Sequence, residues 1–150
     1  MAHEDDFVTL LAADGTLTAI LTGGIYKSGT LGPLGITRGT AAAAFDGNGY
    51  LLPCALVKER AVVAIADVVD YNTPLTSARQ VVEVWLYQDQ GSYAALDNAR
   101  ARIFAILQGY MVSDGFEARL AQQFTRQREP GALAGASMAR QDWQVFFILE

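Results

Sequence analysis

Gln80-Val81-Val82-Glu83-Val84-Trp85-Leu86-Tyr87 is the stretch that decides the fold. Successive side chains of a strand point to opposite faces. Val82, Val84 and Leu86 therefore share one side, and Val81, Glu83, Trp85 and Tyr87 share the other. Both sides are mostly apolar. Such a strand lies in the middle of a sheet, or turns its outer face to a partner. The predicted strand spans 79–87, and Asn72-Thr73-Pro74 before it reads as a turn.

Downstream the period changes. Tyr93, Leu96, Ala99, Ile103, Ile106, Leu107 and Tyr110 recur at helical spacing, while Asp97, Asn98, Arg102 and Gln108 fall off the stripe. A helix is predicted over 91–110, with Ser92 as its N-cap. Ser113-Asp114-Gly115 is a turn, and 116–126 alternates as a half-exposed strand does. A linker at 129–135 holds Pro130. The closing strand, 142–149, sets Trp143, Val145, Phe147 and Leu149 against Gln144, Phe146 and Ile148.

Upstream, Asp5 and Asp6 stand where carboxylates favour a helix start. Phe7, Leu10, Leu11, Leu17, Ile20 and Leu21 follow one helical face. Gly15 interrupts at a cost of about 1 kcal/mol relative to alanine, which allows two short helices. Gly23-Gly24 ends the run. Residues 26–50 are rich in glycine and small side chains and predict a long irregular loop, either disordered or an arm that orders against a neighbouring subunit. Leu31, Leu34, Ile36, Phe45 and Tyr50 would anchor such an arm. Residues 51–58 read as a strand with Pro53 near its start, and 61–69 as a further strand. The expected fold is α+β in the order α-β(β)-β-α-β-β. About four strands form an antiparallel or mixed sheet with two helices on one face, in one domain over 1–150.

Composition narrows the function. Hydrophobic residues make up 51% of the chain and charged residues 18%, against roughly 25% charged in an average soluble domain. The deficit implies either a large core or an apolar surface covered by another subunit. The net charge of −5 argues against a protein that grips nucleic acid. Cys54 is the one cysteine, so no disulfide within the chain is possible. Neither a secretory leader nor a membrane-spanning apolar run is expected, and the cytosol is the default compartment.

Groups suited to chemistry are sparse. His3 is the single histidine and is expected near a frayed end, so it is a poor catalytic or metal-binding residue. Asp46-Gly47-Asn48-Gly49 resembles a calcium loop but lacks its further oxygen ligands, so it reads as a tight turn. Glu59, Asp67, Asp70 and Glu83 could in principle furnish a carboxylate pair. The ordinary reading of the four is a solvated or interface face. Arg119, Arg126, Arg128 and Arg140 gather on the C-terminal strand pair, where they could meet an acidic neighbouring ring, a nucleic-acid backbone or only solvent. Trp85, Tyr87, Trp143 and Phe146 serve sheet packing or a subunit seam. No catalytic residue, metal site or cofactor is expected.

With these elements in order, the chain resembles the tail-terminator (tail-completion) proteins of long-tailed bacteriophages. The likeness is carried by the leading segment Leu10-Leu11-Ala12-Ala13-Asp14-Gly15-Thr16-Leu17 through Gly23-Gly24-Ile25-Tyr26 and by the strand 80–87. The helix beginning Ser92-Tyr93-Ala94-Ala95-Leu96 and the terminal Arg140-Gln141-Asp142-Trp143-Gln144-Val145-Phe146-Phe147-Ile148-Leu149 complete it. The resemblance implies a homo-oligomeric ring, a hexamer, that caps the tail tube, stops its polymerisation and joins the tail to a neck or head-completion protein. DNA would pass through the pore without sequence-specific binding. The protein would assemble in the host cytoplasm and reside in the virion. The expected subunit or partner interface comprises Leu31, Leu34, Ile36, Phe45, Tyr50, Trp85, Tyr87, Arg126 and Arg128. The alternatives are another neck or head-completion ring, or a small dimeric ligand-binding or enzymatic domain marked by a pocket with convergent polar groups.

Overall fold

The computed structural model describes residues 3–64, 76–89, 93–111, 115–128 and 136–149. Helix α1 (His3–Ala12) carries Glu4, Asp5 and Asp6 in its first turn, where carboxylates meet the partial positive charge of the helix start. A second helix, α2 (Gly15–Ile20), begins afresh because Asp14 caps it, accepting the Leu17 amide at 2.8 Å. One apolar stripe is thus divided between two helices at Gly15. Gly24, at φ +99°, then turns the chain into β1 (Ile25–Lys27).

The next elements are α3 (Ser28–Leu31), a 3-10 turn (Ala42–Ala44), β2 (Cys54–Glu59), β3 (Val63–Ala64), β4 (Thr76–Gln88), α4 (Ala94–Leu107), β5 (Gly115–Arg128) and β6 (Ser137–Leu149). The sheet runs β1-β2-β4-β6-β5, with β3 also paired to β4. Among the described residues only β1 and β2 pair in parallel; the other pairings are antiparallel. The Arg60 amide donates to the Val81 carbonyl at 2.8 Å, which keeps β2 and β3 in line along one side of β4. The sheet is mixed, as expected, with more strands than the four read from the sequence. The expected turn at 72–74, the Ser92 cap, the linker at 129–135 and the part of the predicted strand beyond Ala64 lie outside the described residues.

Even-numbered residues of β4 meet the helices. Val82 lies opposite Trp143, Val84 opposite Gln141 and Leu86 opposite Ala139. Across β2, Val57 lies opposite Val84 and Ala55 opposite Leu86. Phe7, Leu11, Leu17, Leu96, Ile103 and Leu107 close over this face, and none exposes any surface. Each such burial is worth about 1.5–3 kcal/mol, which exceeds anything these short helices could gain from propensity. Gln141 is buried on the same face without penalty. Its Nε2 donates to the Arg100 carbonyl of α4 and to Gln123 Oε1, both at 3.1 Å, and its Oε1 accepts Trp143 Nε1 at 3.3 Å.

On the opposite face, residues 26–50 are mostly without regular structure and pack against the sheet of their own chain. The segment forms β1, α3 and the 3-10 turn, and places Ile36, Ala41, Ala44 and Leu51 over Cys54, Tyr87 and Ala136. Small side chains fit here because the backbone lies directly on the sheet. At its tip the Asp46 turn is present as expected: Asp46 Oδ1 accepts the Asn48 and Tyr50 amides, each at 2.9 Å, and Gly49 takes φ +83°.

Strand β5 shifts register at three places along β6, and Arg126 adopts φ 52° within the last irregularity. Such bulges twist and blunt a strand that would otherwise present an open edge. Its beginning is also paired on the outer side. The Ala118 amide donates to the Tyr110 carbonyl at 2.7 Å and the Gly109 amide to the Ala118 carbonyl at 3.1 Å. Trp143 is the largest of the fully buried side chains. Trp143→Ala is expected to lower unfolding stability by about 3–5 kcal/mol, read by denaturant titration with an unchanged m-value.

Candidate functional site: a charged and aromatic sheet face

Segment 26–50 covers only one end of its face. Beyond Leu56 and Trp85 the sheet carries charge in register. One row across the strands is Lys58, Glu83, Asp142 and Gln122; its neighbour is Leu56, Trp85, Arg140 and Phe124. Glu83 and Asp142 thus sit directly opposite each other, an arrangement of like charges that needs cations to be stable. Arg60 supplies one, with Nε and Nη2 each 3.0 Å from a Glu83 oxygen. Arg140 supplies the other. Its Nη1 lies 3.6 Å from Glu83, and its Nη2 donates to Asp142 Oδ2 at 3.0 Å. Arg140 Nε is 2.8 Å from Asp142 Oδ1 but out of line for a hydrogen bond. Gln122 Nε2 donates to Asp142 at 2.6 Å and Trp85 Nε1 to Glu83 at 3.4 Å.

Aromatic rings complete the cluster. The Arg140 guanidinium stands 4.8 Å from the centroid of Trp85 and 4.5 Å from that of Phe124, held between two π-faces. Trp85 stacks on Tyr87 at 6.2 Å and 12°. The Glu83 side chain is 2% exposed and that of Arg60 56%, so the carboxylate is interior while its cation faces water. Hydrogen bonding to Glu83 raises the Arg60 pKa further, which keeps the guanidinium charged. The arrangement can orient guanidinium groups and flat rings toward a docking surface. It supplies no nucleophile.

The expected carboxylate set therefore divides. Glu83 is buried in this cluster and is not solvated, a correction that follows from cross-strand register. Glu59 Oε2 accepts the Glu4 amide at 3.2 Å while Glu4 accepts the Glu59 amide at 3.3 Å, a reciprocal clasp of α1 onto β2. Asp67 and Asp70 lie outside the described residues. No group of three or more His, Cys, Asp or Glu suited to a metal is found among the described residues. His3 is likewise corrected. It sits inside α1, 1% exposed, with Nδ1 2.5 Å from Gln80 Oε1 and its ring edge-on to Phe147 at 4.7 Å. Its burial follows from the sheet end that α1 covers, which spacing along the chain does not reveal.

The nine expected interface residues do not converge. Ile36 and Tyr87 are buried within the protomer at 3% and 7% exposure. Leu31 and Phe45 are half-buried against the same cluster, and Phe45 lies 5.7 Å below the Arg38 guanidinium. Leu34 and Tyr50 stand out at 70% and 44% exposure. Trp85 belongs to the charged cluster. Arg126 reaches from β5 to Asp97 of α4 at 3.1 Å, and Arg128 ends β5. Asp97 is held below the usual carboxylate range first by Arg100, at 3.0 Å, and then by Arg126. Arg60, Gln122, Phe124 and Asp142 were not singled out from the sequence. The available signal was Arg140 and Asp142 two apart on one strand, with Glu83 breaking an apolar run.

Cys54 faces the covered end and is buried. Burial pushes its thiol from 9.0 up to about 12. An acid whose folded pKa is raised contributes stability below its unfolded pKa and loses it as pH rises. The contribution of Cys54 therefore fades between about 9 and 12. Alkylation by iodoacetamide at pH 8 is expected to be negligible in the folded protein and rapid in urea; equal rates would place the thiol at the surface.

Two comparisons of the sequence, with protein-family models and with curated proteins, return no match. Among solved structures, a chain from the virion of a native gene transfer agent particle has a similar fold. Its TM-score is 0.62 at 17% identity, and the match covers 99% of this chain and 96% of that one. The likeness is one of fold, and it extends over nearly the whole of both chains.

The cluster itself makes an asymmetric prediction. Glu83→Ala removes the buried carboxylate that Arg60 and Trp85 bond to, while Arg140 keeps Asp142, and is expected to cost about 1.5–3 kcal/mol. Arg60→Ala, which removes a mostly exposed partner, is expected to cost no more than about 1 kcal/mol. Chemical denaturation of the two variants measures the difference.

Proposed function

We propose that this chain is a structural, non-enzymatic component of a virion. More specifically, it forms a homo-oligomeric ring at the end of a tail tube. The observation that carries the reading is the fold shared end to end with a chain of a virion particle. The order of strands and helix that resembles tail terminators supports the finer assignment, as does the low charged fraction of 18%. The physical mechanism is end-capping. A closed ring arises when each subunit presents one surface to a different surface of the next and the rotation closes. One side of the ring repeats the contact made by tube subunits and the other does not, so addition stops. The other side receives a neck or head-completion protein, and DNA passes through the pore. A net charge of −5 suits that passage, since a negative wall does not retain a polyanion.

The test adds purified protein to polymerising tail-tube subunits of the same particle. Mean tube length is expected to fall as protein is added, with a ring at one tube end in negative stain. Tubes of unchanged length with bare ends would reject the terminator role. Rings bound instead to the head side of the neck would reassign the protein to a neck ring.

A further inference from the structure

Residues 33–50 lie on the sheet without being hydrogen-bonded to it. Among the described residues, the hydrogen bonds of this stretch stay inside it or reach its own two stems. The Thr40 hydroxyl donates to the Gly35 carbonyl at 2.6 Å, Arg38 Nη2 to the Gly49 carbonyl at 3.0 Å and the Asp46 amide to the Tyr50 carbonyl at 2.9 Å. The stem bonds run from the Gly35 amide to the Gly32 carbonyl and from the Leu52 amide to the Ala44 carbonyl. None reaches β2, β4 or β6. The stems themselves are pinned. The Gly29 amide donates to Glu4 Oε1 at 3.3 Å, and Leu51 exchanges two bonds of 3.0 Å with Asp89.

The hold of this stretch on the sheet is therefore apolar, and it is small. Ile36, Ala41 and Ala44 are buried over Cys54, Tyr87 and Ala136, with Phe45 half-buried beside them. The helices on the other face are tied by polar bonds as well, α4 through Gln141 and α1 through Glu59. Lifting 33–50 loses the Leu52–Ala44 bond and the apolar contact, while the internal bonds travel with the segment. Elements with few buried apolar contacts open at lower free energy than the whole fold. Gly32 and Gly35, at φ +77° and +64°, flank Pro33 at the first stem and give the chain a pivot.

We infer that residues 33–50 form a strap that lifts from the sheet as one body while the sheet and the helices on its other face stay folded. Lifted, it uncovers Cys54, Tyr87 and Met138. These continue the strip that Trp85 begins, since Trp85 stacks on Tyr87. The strap thus sets how much of the aromatic face is open. The inference concerns the protomer alone and does not depend on the ring reading.

The experiment is native-state hydrogen exchange, read by mass spectrometry at rising urea below the unfolding transition, with slow iodoacetamide labelling of Cys54 followed in parallel. Amides of 33–50 are expected to exchange together, ahead of β4 and β6 and with little dependence on urea. On the long timescale where residual labelling becomes measurable, Cys54 is expected to follow that opening and not global unfolding. Gly49 sits at φ +83°, and a Cβ there would meet Arg38 Nη2. Gly49→Ala is therefore expected to speed both strap exchange and Cys54 labelling by about tenfold, leaving β4 and β6 unchanged. Strap amides that exchange only through global unfolding would overturn the inference. So would strap exchange without Cys54 labelling, which means fraying in place, or a variant whose β4 and β6 accelerate as much as its strap.

Discussion

The pairing of β4 with β6, which joins Thr76 to Leu149 at one end and Gln88 to Ser137 at the other, is the constraint on which the rest of the protein depends. The two strands carry opposite chemistry on opposite faces, and their register aligns like with like. Val82 meets Trp143 beneath the helices, while Glu83 meets Asp142 on the other side. A slip of one residue in either strand would turn carboxylates toward the core and tryptophan toward solvent. A buried unpaired charge costs several kcal/mol, comparable with the whole stability of a domain. Hydrophobic burial on one face and charge neutralisation on the other therefore select the same register.

The two faces are finished differently. Three helices seal the first with side chains that expose nothing, and the ion pair of Arg102 with Asp14 ties α4 to the start of α2. Both groups shift toward their charged forms: the Asp14 carboxyl is held low and the Arg102 guanidinium high by the hydrogen bonds between them. The second face is covered at one end by a segment of small residues and, among the described residues, left open at the other. Stability comes from the sealed side. The open side contributes little beyond a neutralised ion cluster, and its arginines and rings face outward. That division lets a surface be specific for a partner without weakening the fold that carries it.

Local pattern made a large share of the fold legible. The alternation of Val82, Val84 and Leu86, the stripe from Leu96 to Leu107 and the break at Gly15 each express a period that a single element imposes on its own residues. The burial of the residues proposed for an interface was less legible for the same reason. Ile36 and Tyr87 look alike in sequence to Leu34 and Tyr50, yet the first two are interior and the last two exposed. Which small-residue segment lies on which sheet face is a non-local fact. That the irregular segment 26–50 packs on its own sheet was not legible, because glycine and alanine carry no periodic signal even when packed.

By itself, the sequence determined the central strand, the helix after it, the closing strand, the α+β class and the apolar character of both faces of the central strand, since these follow from spacing along the chain. Tertiary structure alone decided that Glu83, Arg60, Arg140 and Asp142 form one cluster, that His3 is interior, and that segment 26–50 covers one end of a face. Those residues lie up to 82 positions apart between Arg60 and Asp142, and only the register of four strands brings their charges within a few ångströms. Contact at that separation is set by the pairing of whole strands, to which each residue's immediate neighbours in the chain are blind.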